Sequence, residues 1–184
     1  FNIIHHRSDG TRAQGIPLHF LARRILDSCR TLEQADRVVR SVPVCASTSI
    51  TVVDSSEHDA RSFEITPEGV FVVNATPCIH GGSLLLHANS ILAPEARSED
   101  STSNPESSRR RLNFLASRDE REFQGGPEML DALFNDSEVC PLNMRPNHTI
   151  PWYERYTTKA IFLPDYHSGR LGYLDVRSSK VDAG

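Results

Sequence analysis

The sequence predicts a layered α+β protein in which helices cover antiparallel sheets. Three observations lead to this prediction: two consecutive amphipathic helices near the start of the chain, a meander of short apolar strands in the middle, and a strand hairpin near the end. The order of helices, strands, helices and strands differs from the strict alternation of parallel βαβ units. No internal repeat of fixed period is visible.

The composition is typical of an ordinary globular protein. The 184 residues include 20 Lys and Arg against 24 Asp and Glu, so the formal net charge is −4, and 38% of the residues are hydrophobic. This mildly acidic balance argues against a nucleic-acid-binding protein, which we would expect to be basic. No apolar run approaches the roughly 18 residues that a membrane span needs. We therefore expect no nucleic-acid partner and no membrane span.

Two helices are predicted before residue 40. In the first, apolar residues recur at the spacing of one helical stripe. They are Leu18, Leu21, Ala22, Ile25, Leu26 and Cys29. The second opens with a capping-box pattern, Thr31 with Gln34, and its apolar residues define a buried face. These are Leu32, Ala35, Val38 and Val39. Two such helices need a shared apolar surface to cover.

Residues 47–89 predict an antiparallel sheet that offers this surface. Short runs rich in β-branched residues alternate with polar turns, as in a strand meander. The runs are Ile50–Val53, Phe63–Ile65, Val70–Val73 and Leu84–Leu86. The following segment, Ala93–Ser108, is rich in Ser, Glu and Asn without periodicity, which predicts a mobile surface loop.

The remaining elements are two helices and a hairpin. Pro105 predicts the first turn of a third helix, and Pro127 that of a short fourth helix. The inner face of the third helix would carry Leu112, Leu115 and Ala116. Its basic run, Arg109–Arg111, is expected on the outer face, where the long side chains cover the helix. Lys159–Leu163 and Leu171–Val176 then predict a β-hairpin.

Two polar residues are candidates for catalysis. Asn89 ends an apolar strand, where functional side chains often lie, and its amide can donate to a developing oxyanion. The alternative is an Asn that satisfies the local backbone. Arg145 lies in a loop flanked by prolines and can bind a carboxylate or stabilise transition-state charge. The alternative is a solvated surface arginine.

Cysteine and histidine patterns predict neither a disulfide framework nor a metal site. The four cysteines are far apart and form no C-x-x-C pair. They are Cys29, Cys45, Cys78 and Cys140. A thiol nucleophile at Cys45 with His87 as its base is conceivable, but a buried structural cysteine is the simpler interpretation. The adjacent pair His5-His6 has no third ligand at metal-binding spacing. We expect no metal and no cofactor.

One series of segments runs in order through residues 1–120. It consists of Gly15-Ile16-Pro17 at a helix start, Leu21–Leu26, Thr31–Ala35, Ala46-Ser47 before a strand, Phe63–Pro67, His87-Ala88-Asn89, and Ser107-Ser108 with the arginines before Leu112. In order and spacing this series resembles the acyl-coenzyme A:6-aminopenicillanic acid acyltransferase family, also known as isopenicillin N acyltransferases or the peptidase C45-like group. Ala88 and Ser90 depart from the His-Thr-Asn-His pattern of that family.

The resemblance implies an N-terminal-nucleophile hydrolase, built as an αββα four-layer sandwich with antiparallel sheets. Such enzymes cleave their own precursor and expose a cysteine whose α-amino group serves as the base. An α-amine with a pKa of about 7.7–8.0 suits that role. By resemblance, Asn89 would line the oxyanion hole and Arg145 would orient or neutralise the substrate. Ser47 and His87 would contact the substrate.

The resemblance also implies that residues 1–184 are the carboxyl-terminal portion of a single acyltransferase or hydrolase domain. None of the four cysteines matches the family nucleophile, so we expect the nucleophile upstream and this chain alone to be inactive. The expected reaction is acyl transfer or hydrolysis at an amide C–N bond. The expected partners are a small-molecule amide or acyl-CoA and the missing amino-terminal segment or chain. The alternative is a non-catalytic relative that acts as a binding or structural module. The resemblance implies a cytoplasmic or peroxisomal location, and secretion is the alternative.

Overall fold

The chain forms two compact units, Phe1–Ala116 and Ser117–Gly184. The computed structural model describes residues 1–11, 14–102, 105–123, 129, 148–149, 151, 160–165 and 168–175. The described residues form helices and antiparallel strands, which confirms the predicted α+β class. That both units belong to a single domain stays a prediction.

A four-stranded antiparallel sheet is the centre of the first unit. Its strands, hydrogen-bonded in chain order, are β1 (Asn2–Ile3), β2 (Thr48–Asp54), β3 (Asp59–Thr66) and β4 (Gly69–Asn74). Three of the four predicted strand runs lie in β2, β3 and β4 and are confirmed. The register pairs Ile50 with Phe63 and Ser49 with Glu64. Because successive side chains of a strand point to opposite faces, these two pairs lie on different sides of the sheet.

The fourth predicted run lies outside this sheet. Only Ser83–Leu84 of that region is a strand, β6, and it pairs with β5 (Thr76–Pro77) in a separate two-stranded sheet. The physical reason for this separate pairing is a tight turn between β5 and β6. Gly81 and Gly82 both have positive φ, at 93° and 78°, which glycine adopts without strain. The turn returns the chain onto itself, so the prediction of one continuous meander to residue 89 was wrong at its end.

Both predicted amino-terminal helices are present, as α1 (Leu18–Ser28) and α2 (Leu32–Arg40). They pack on one face of the sheet and form the main core with it. Its buried members are Leu21, Ile25, Ala35, Val39, Val44, Ile50, Phe63 and Ile65. Leu26 was placed in the predicted stripe but is 78% exposed. It lies about 100° around the helix from Ile25, beyond the edge of the face that contacts the sheet.

The predicted cap of α2 is also present, with a small change. Thr31 Oγ1 accepts a hydrogen bond from Gln34 N at 3.3 Å. The Gln34 side chain accepts from the backbone N of Arg30 at 2.5 Å, one residue before the position that a standard capping box uses. Two exposed backbone donors are therefore satisfied at the start of the helix.

The other face of the sheet carries buried polar side chains. Ser49, Ser62 and Glu64 are all at most 1% exposed. The Oγ atoms of the two serines lie 2.6 Å apart. The segment after β6 covers this face, where Ile4, Ile91 and Ala96 form a small second core with Phe71 packed against it. Backbone and side-chain groups of this covering segment are therefore brought next to Glu64.

The predicted surface loop, Ala93–Ser108, contains more contacts than its composition indicates. Ala93 and Ala96 are buried, a 3-10 helix spans Arg97–Glu99, and Asp100 accepts a hydrogen bond from Ile91 N at 3.0 Å. Mobility of this segment stays a prediction.

The third helix, α3 (Pro105–Ala116), begins at the predicted proline. Its predicted inner face is only partly correct, because Leu112 and Leu115 are half-buried but Ala116 is exposed. The buried residue of the helix is Ser108.

The described part of the second unit is a hairpin of β7 (Ala160–Asp165) and β8 (Arg170–Asp175), as predicted, and a 3-10 helix at Glu120–Phe123. The helix predicted from Pro127 falls, except for one residue, outside the described residues, as do Cys140 and Arg145. Across the described parts of both units, none of the helices has the length and apolar character needed to cross a membrane.

Candidate functional site

Asn89 is held in place by four hydrogen bonds. Its side-chain Nδ2 donates to the carbonyl oxygen of Ile3 at 2.9 Å, and its Oδ1 accepts from the guanidinium of Arg111 at 3.0 Å. Its backbone N donates to Ser108 Oγ at 3.0 Å, and its backbone oxygen accepts from Thr102 Oγ1 at 2.9 Å. Both ends of the side-chain amide are therefore fixed between β1 and α3.

This arrangement leaves one donor of Asn89 available. A carboxamide nitrogen carries two hydrogens, and the carbonyl of Ile3 takes one of them. Among the described residues, no hydrogen-bond acceptor is paired with the other. Asn89 is half-buried, so this N–H is accessible and points in a direction set by the two side-chain bonds. The predicted strand end at Asn89 was wrong, because β6 ends at Leu84 and Asn89 lies in a bend five residues later. A fixed amide donor is nevertheless suited to binding a negatively charged oxygen.

His87 and Glu64 form a buried hydrogen-bonded pair beside Asn89. The side chains of His87 and Glu64 are 2% and 0% exposed, and His87 Nε2 is hydrogen-bonded to Glu64 Oε1 at 2.9 Å. The same carboxylate accepts from the backbone N atoms of Leu92 at 2.6 Å and Ala93 at 3.0 Å. Glu64 therefore ties β3 to both ends of the segment that contains Asn89. The His87 side chain is enclosed by the protein. Its contact with substrate stays a prediction.

Ser47 belongs to a second polar cluster. It is buried, and its hydroxyl donates to Asp9 Oδ1 at 2.5 Å. The other oxygen of that carboxylate accepts from His6 N at 3.1 Å. The hydroxyl proton of Ser47 is therefore directed at Asp9, and a contact between Ser47 and substrate stays a prediction.

Ser47 and Asn89 lie on either side of the same short strand, β1. Thr48, which follows Ser47, pairs with Ile3 of β1, and the carbonyl of Ile3 accepts from Asn89. Within the described residues no hydrogen bond joins Ser47 to Asn89. Their common neighbour is therefore β1.

The cysteines do not form the Cys45–His87 pair considered from the sequence. Among the described residues, Cys29, Cys45 and Cys78 form no disulfide and are half-buried, so the expectation that Cys45 is buried is only partly confirmed. In the described part of the chain no hydrogen bond links Cys45 to His87, whose Nε2 is occupied by Glu64. No group of three metal-ligating side chains occurs among the described residues either.

Sequence reasoning missed two of the residues that shape this site. The sequence predicts Arg111 on the outer face of its helix together with Arg109 and Arg110. Three successive helical residues point about 100° apart, so they cannot share one face. Helical spacing alone therefore indicated that the three arginines lie on different sides of α3. Glu64 is a charged residue between two buried apolar ones in β3, which was the available signal for a buried carboxylate.

The charges on the outer side of α3 are paired with each other. Glu106 contacts Arg109 and accepts from Arg110 at 3.0 Å. The hydrogen bond from Arg110 is the main reason that the pKa of Glu106 lies below its ordinary value, and the charge of Arg109 adds to this effect. Of the three arginines in the run, Arg111 is therefore the one directed to Asn89.

Comparison with known families assigns the chain to one family. A family model described as acyl-coenzyme A:6-aminopenicillanic acid acyl-transferase matches residues 1–167. No curated protein and no solved structure matches the sequence. The matched range contains Ser47, His87 and Asn89 together with their hydrogen-bond partners, and it covers most of the 184 residues. The chain therefore belongs to the acyl-coenzyme A:6-aminopenicillanic acid acyl-transferase family, a family of acyltransferases and hydrolases.

Proposed function

We propose that the full-length protein is an N-terminal-nucleophile cysteine enzyme that transfers or hydrolyses an acyl group at an amide C–N bond. Family membership supports the reaction class. The observation that carries the site assignment is the Asn89 amide, which is fixed at both ends and keeps one N–H donor. In this proposal the two helices α1 and α2 and the four-stranded sheet form one half of an αββα sandwich.

The proposed nucleophile is a cysteine that precedes this chain segment in the full-length protein and is exposed by self-cleavage. Its free α-amino group, with a pKa of about 7.7–8.0, accepts the thiol proton. The thiolate attacks the acyl carbonyl, and the carbonyl oxygen becomes an oxyanion. Collapse of this intermediate breaks the bond to the leaving group, which takes the proton, and leaves an acyl thioester on the cysteine. Water or an amine acceptor then attacks the thioester.

Asn89 is the oxyanion donor in this scheme. Its second N–H donates to the negatively charged oxygen of the tetrahedral intermediate, an interaction that is stronger in the transition state than with the neutral carbonyl. Arg145 orients or neutralises the substrate, a role that rests on the family resemblance because Arg145 lies outside the described residues. Ser47 and His87 are assigned to substrate contact by the family resemblance.

The proposed substrate is a small-molecule amide or an acyl-CoA thioester. The family description supports an acyl-CoA donor. With an acyl-CoA, the leaving group is the coenzyme thiol and the acceptor is an amine. With an amide, the leaving group is an amine and the acceptor is water or a second amine. Both routes pass through the same acyl thioester and the same oxyanion, so Asn89 serves both.

Mass spectrometry of the protein expressed from its complete reading frame tests the proposal. We expect two fragments, the larger beginning with Cys, and a mass increase equal to one acyl group on that fragment after brief incubation with an acyl-CoA. Alkylation of the cysteine with iodoacetamide beforehand should abolish the increase. A single uncut chain that gains no acyl group would contradict the proposal and favour a non-catalytic relative that acts as a binding or structural module.

A further inference from the structure

Arg111 contacts the candidate oxyanion donor from the side of α3. Its Nη2 donates to Asn89 Oδ1 at 3.0 Å, and its Nε donates to the backbone oxygen of Ser107 at 3.3 Å. These two bonds hold the guanidinium to its own helix and to Asn89. The residue is half-buried, which limits competition from water for the bond to Asn89.

The two partners of the Asn89 side chain select one of its two amide orientations. A carboxamide can rotate by 180° and exchange its oxygen with its NH₂ group. Arg111 offers only donors, and the carbonyl of Ile3 offers only an acceptor. In the rotated amide, NH₂ would face the guanidinium and oxygen would face the Ile3 carbonyl, so both contacts would be repulsive. The observed orientation places the NH₂ group beside the Ile3 carbonyl and the oxygen beside the guanidinium.

Arg111 also changes the strength of that donor. A hydrogen bond from a charged group is stronger than one between neutral groups, and hydrogen bonds in series polarise one another. Donation from the guanidinium to Asn89 Oδ1 withdraws electron density from the amide and makes its N–H groups better donors.

We propose that Arg111 is a positioning residue that sets the orientation of the Asn89 amide and strengthens its free N–H for oxyanion binding. This inference rests on the proposed function, in which Asn89 binds the oxyanion. Arg111 itself touches Asn89 and acts on the reaction through it. The neighbouring Arg110 is bonded to Glu106 on the outer side of α3, and its side chain is 56% exposed, so it offers a matched control.

The test measures kcat and KM of the full-length protein with Arg111→Met, Arg111→Lys and Arg110→Met. Methionine keeps most of the apolar stem and removes the donors. We expect Arg111→Met to lower kcat by about 10- to 100-fold, by analogy with the loss caused by removing a residue that orients a metal ligand, with little change in KM. Arg111→Lys should be intermediate, because an ammonium cannot reproduce the planar fork of the guanidinium. Arg110→Met should match the wild type.

A second background separates this inference from the proposed function. If Arg111 acts through Asn89, Arg111→Met should slow the Asn89→Ala variant no further. A wild-type kcat for Arg111→Met, or an equal loss of kcat in the Asn89→Ala background, would overturn the inference while leaving the role of Asn89 intact. A wild-type kcat for Asn89→Ala would instead overturn the proposed role of Asn89. Should Arg111→Met fail to fold, an intermediate kcat for Arg111→Lys supports the inference and a wild-type kcat overturns it.

Discussion

His87 Nε2 lies 2.9 Å from Glu64 Oε1, and both side chains are enclosed in the protein. A buried carboxylate is costly unless its oxygens are fully hydrogen-bonded. Glu64 meets this condition through His87 and through the backbone N atoms of Leu92 and Ala93. These three bonds make the carboxylate the link between β3 and the segment that positions Asn89.

Removing this carboxylate should destabilise the first unit strongly. We expect Glu64→Ala to lower the free energy of unfolding by about 3–5 kcal/mol, because the His87 ring and two backbone donors lose their buried partner. Urea denaturation followed by circular dichroism measures the change. Glu68→Ala is the matched control, since Glu68 is exposed in the following turn and its loss should cost within about 0.5 kcal/mol. Equal effects of the two substitutions would contradict the assignment of Glu64.

A close backbone approach requires glycine at position 15. A Cβ atom there would lie 2.6 Å from the backbone N of Cys45 and 2.7 Å from the carbonyl carbon of Val44. Gly15→Ala should therefore force the two segments apart and weaken the hydrogen bond from Ile16 N to the Pro43 carbonyl, which is 3.0 Å long. We expect a loss of about 1–3 kcal/mol in the free energy of unfolding, typical of overpacking.

The control for this prediction is Gly69→Ala. A Cβ at Gly69 would meet only Phe71 Cζ, at an ordinary van der Waals distance of 3.9 Å. Thermal unfolding of both variants compares them directly. A melting temperature for Gly15→Ala as high as that of Gly69→Ala would show that the segments separate without cost.

The turn after β2 should contribute acid-sensitive stability. The Ser56 hydroxyl, followed by the backbone N–H groups of Ser56 and Glu57, holds the pKa of Asp54 below its ordinary value. A carboxyl group with a lower pKa in the folded state stabilises the protein above its unfolded pKa, about 4, and this contribution is lost as the pH falls through the folded value.

Asp54→Asn tests this pH dependence. The difference in unfolding free energy between the wild type and Asp54→Asn should be largest at neutral pH and should shrink as the pH falls below about 4. Urea titrations at a series of pH values measure it. Glu57→Gln, an exposed change in the same turn, is the control and should give a small difference at every pH. A constant difference for Asp54→Asn would contradict the assigned cause of the shift.

The helices and the central strands could be predicted because their sequence patterns are local. The stripe that includes Leu21 and Ile25, the cap formed by Thr31 and Gln34, and the β-branched runs of β2 to β4 each depend on neighbours a few residues away. The prediction of one continuous meander was wrong at Gly81 and Gly82. The turn that contains these glycines pairs β5 with β6 in a sheet separate from the main sheet.

The partners of Asn89 could not be predicted, because they come from distant parts of the chain. Asn89 is bonded to Ile3, 86 residues away, and to Arg111, 22 residues away. Periodicity within a helix gives the direction of Arg111 only after the orientation of α3 on the sheet is known. The family resemblance selected Asn89, whereas the arrangement around it required the fold.

The most direct measurement of the central claim is the kcat of full-length Asn89→Ala, compared with Asn113→Ala on the exposed side of α3. If the Asn89 amide stabilises the oxyanion, kcat should fall by about 10²- to 10³-fold. Autoprocessing should be scored separately by intact mass, so that only correctly cleaved protein is compared. Asn113→Ala should retain wild-type turnover. A wild-type kcat for cleaved Asn89→Ala would contradict the account and remove Asn89 from the active site.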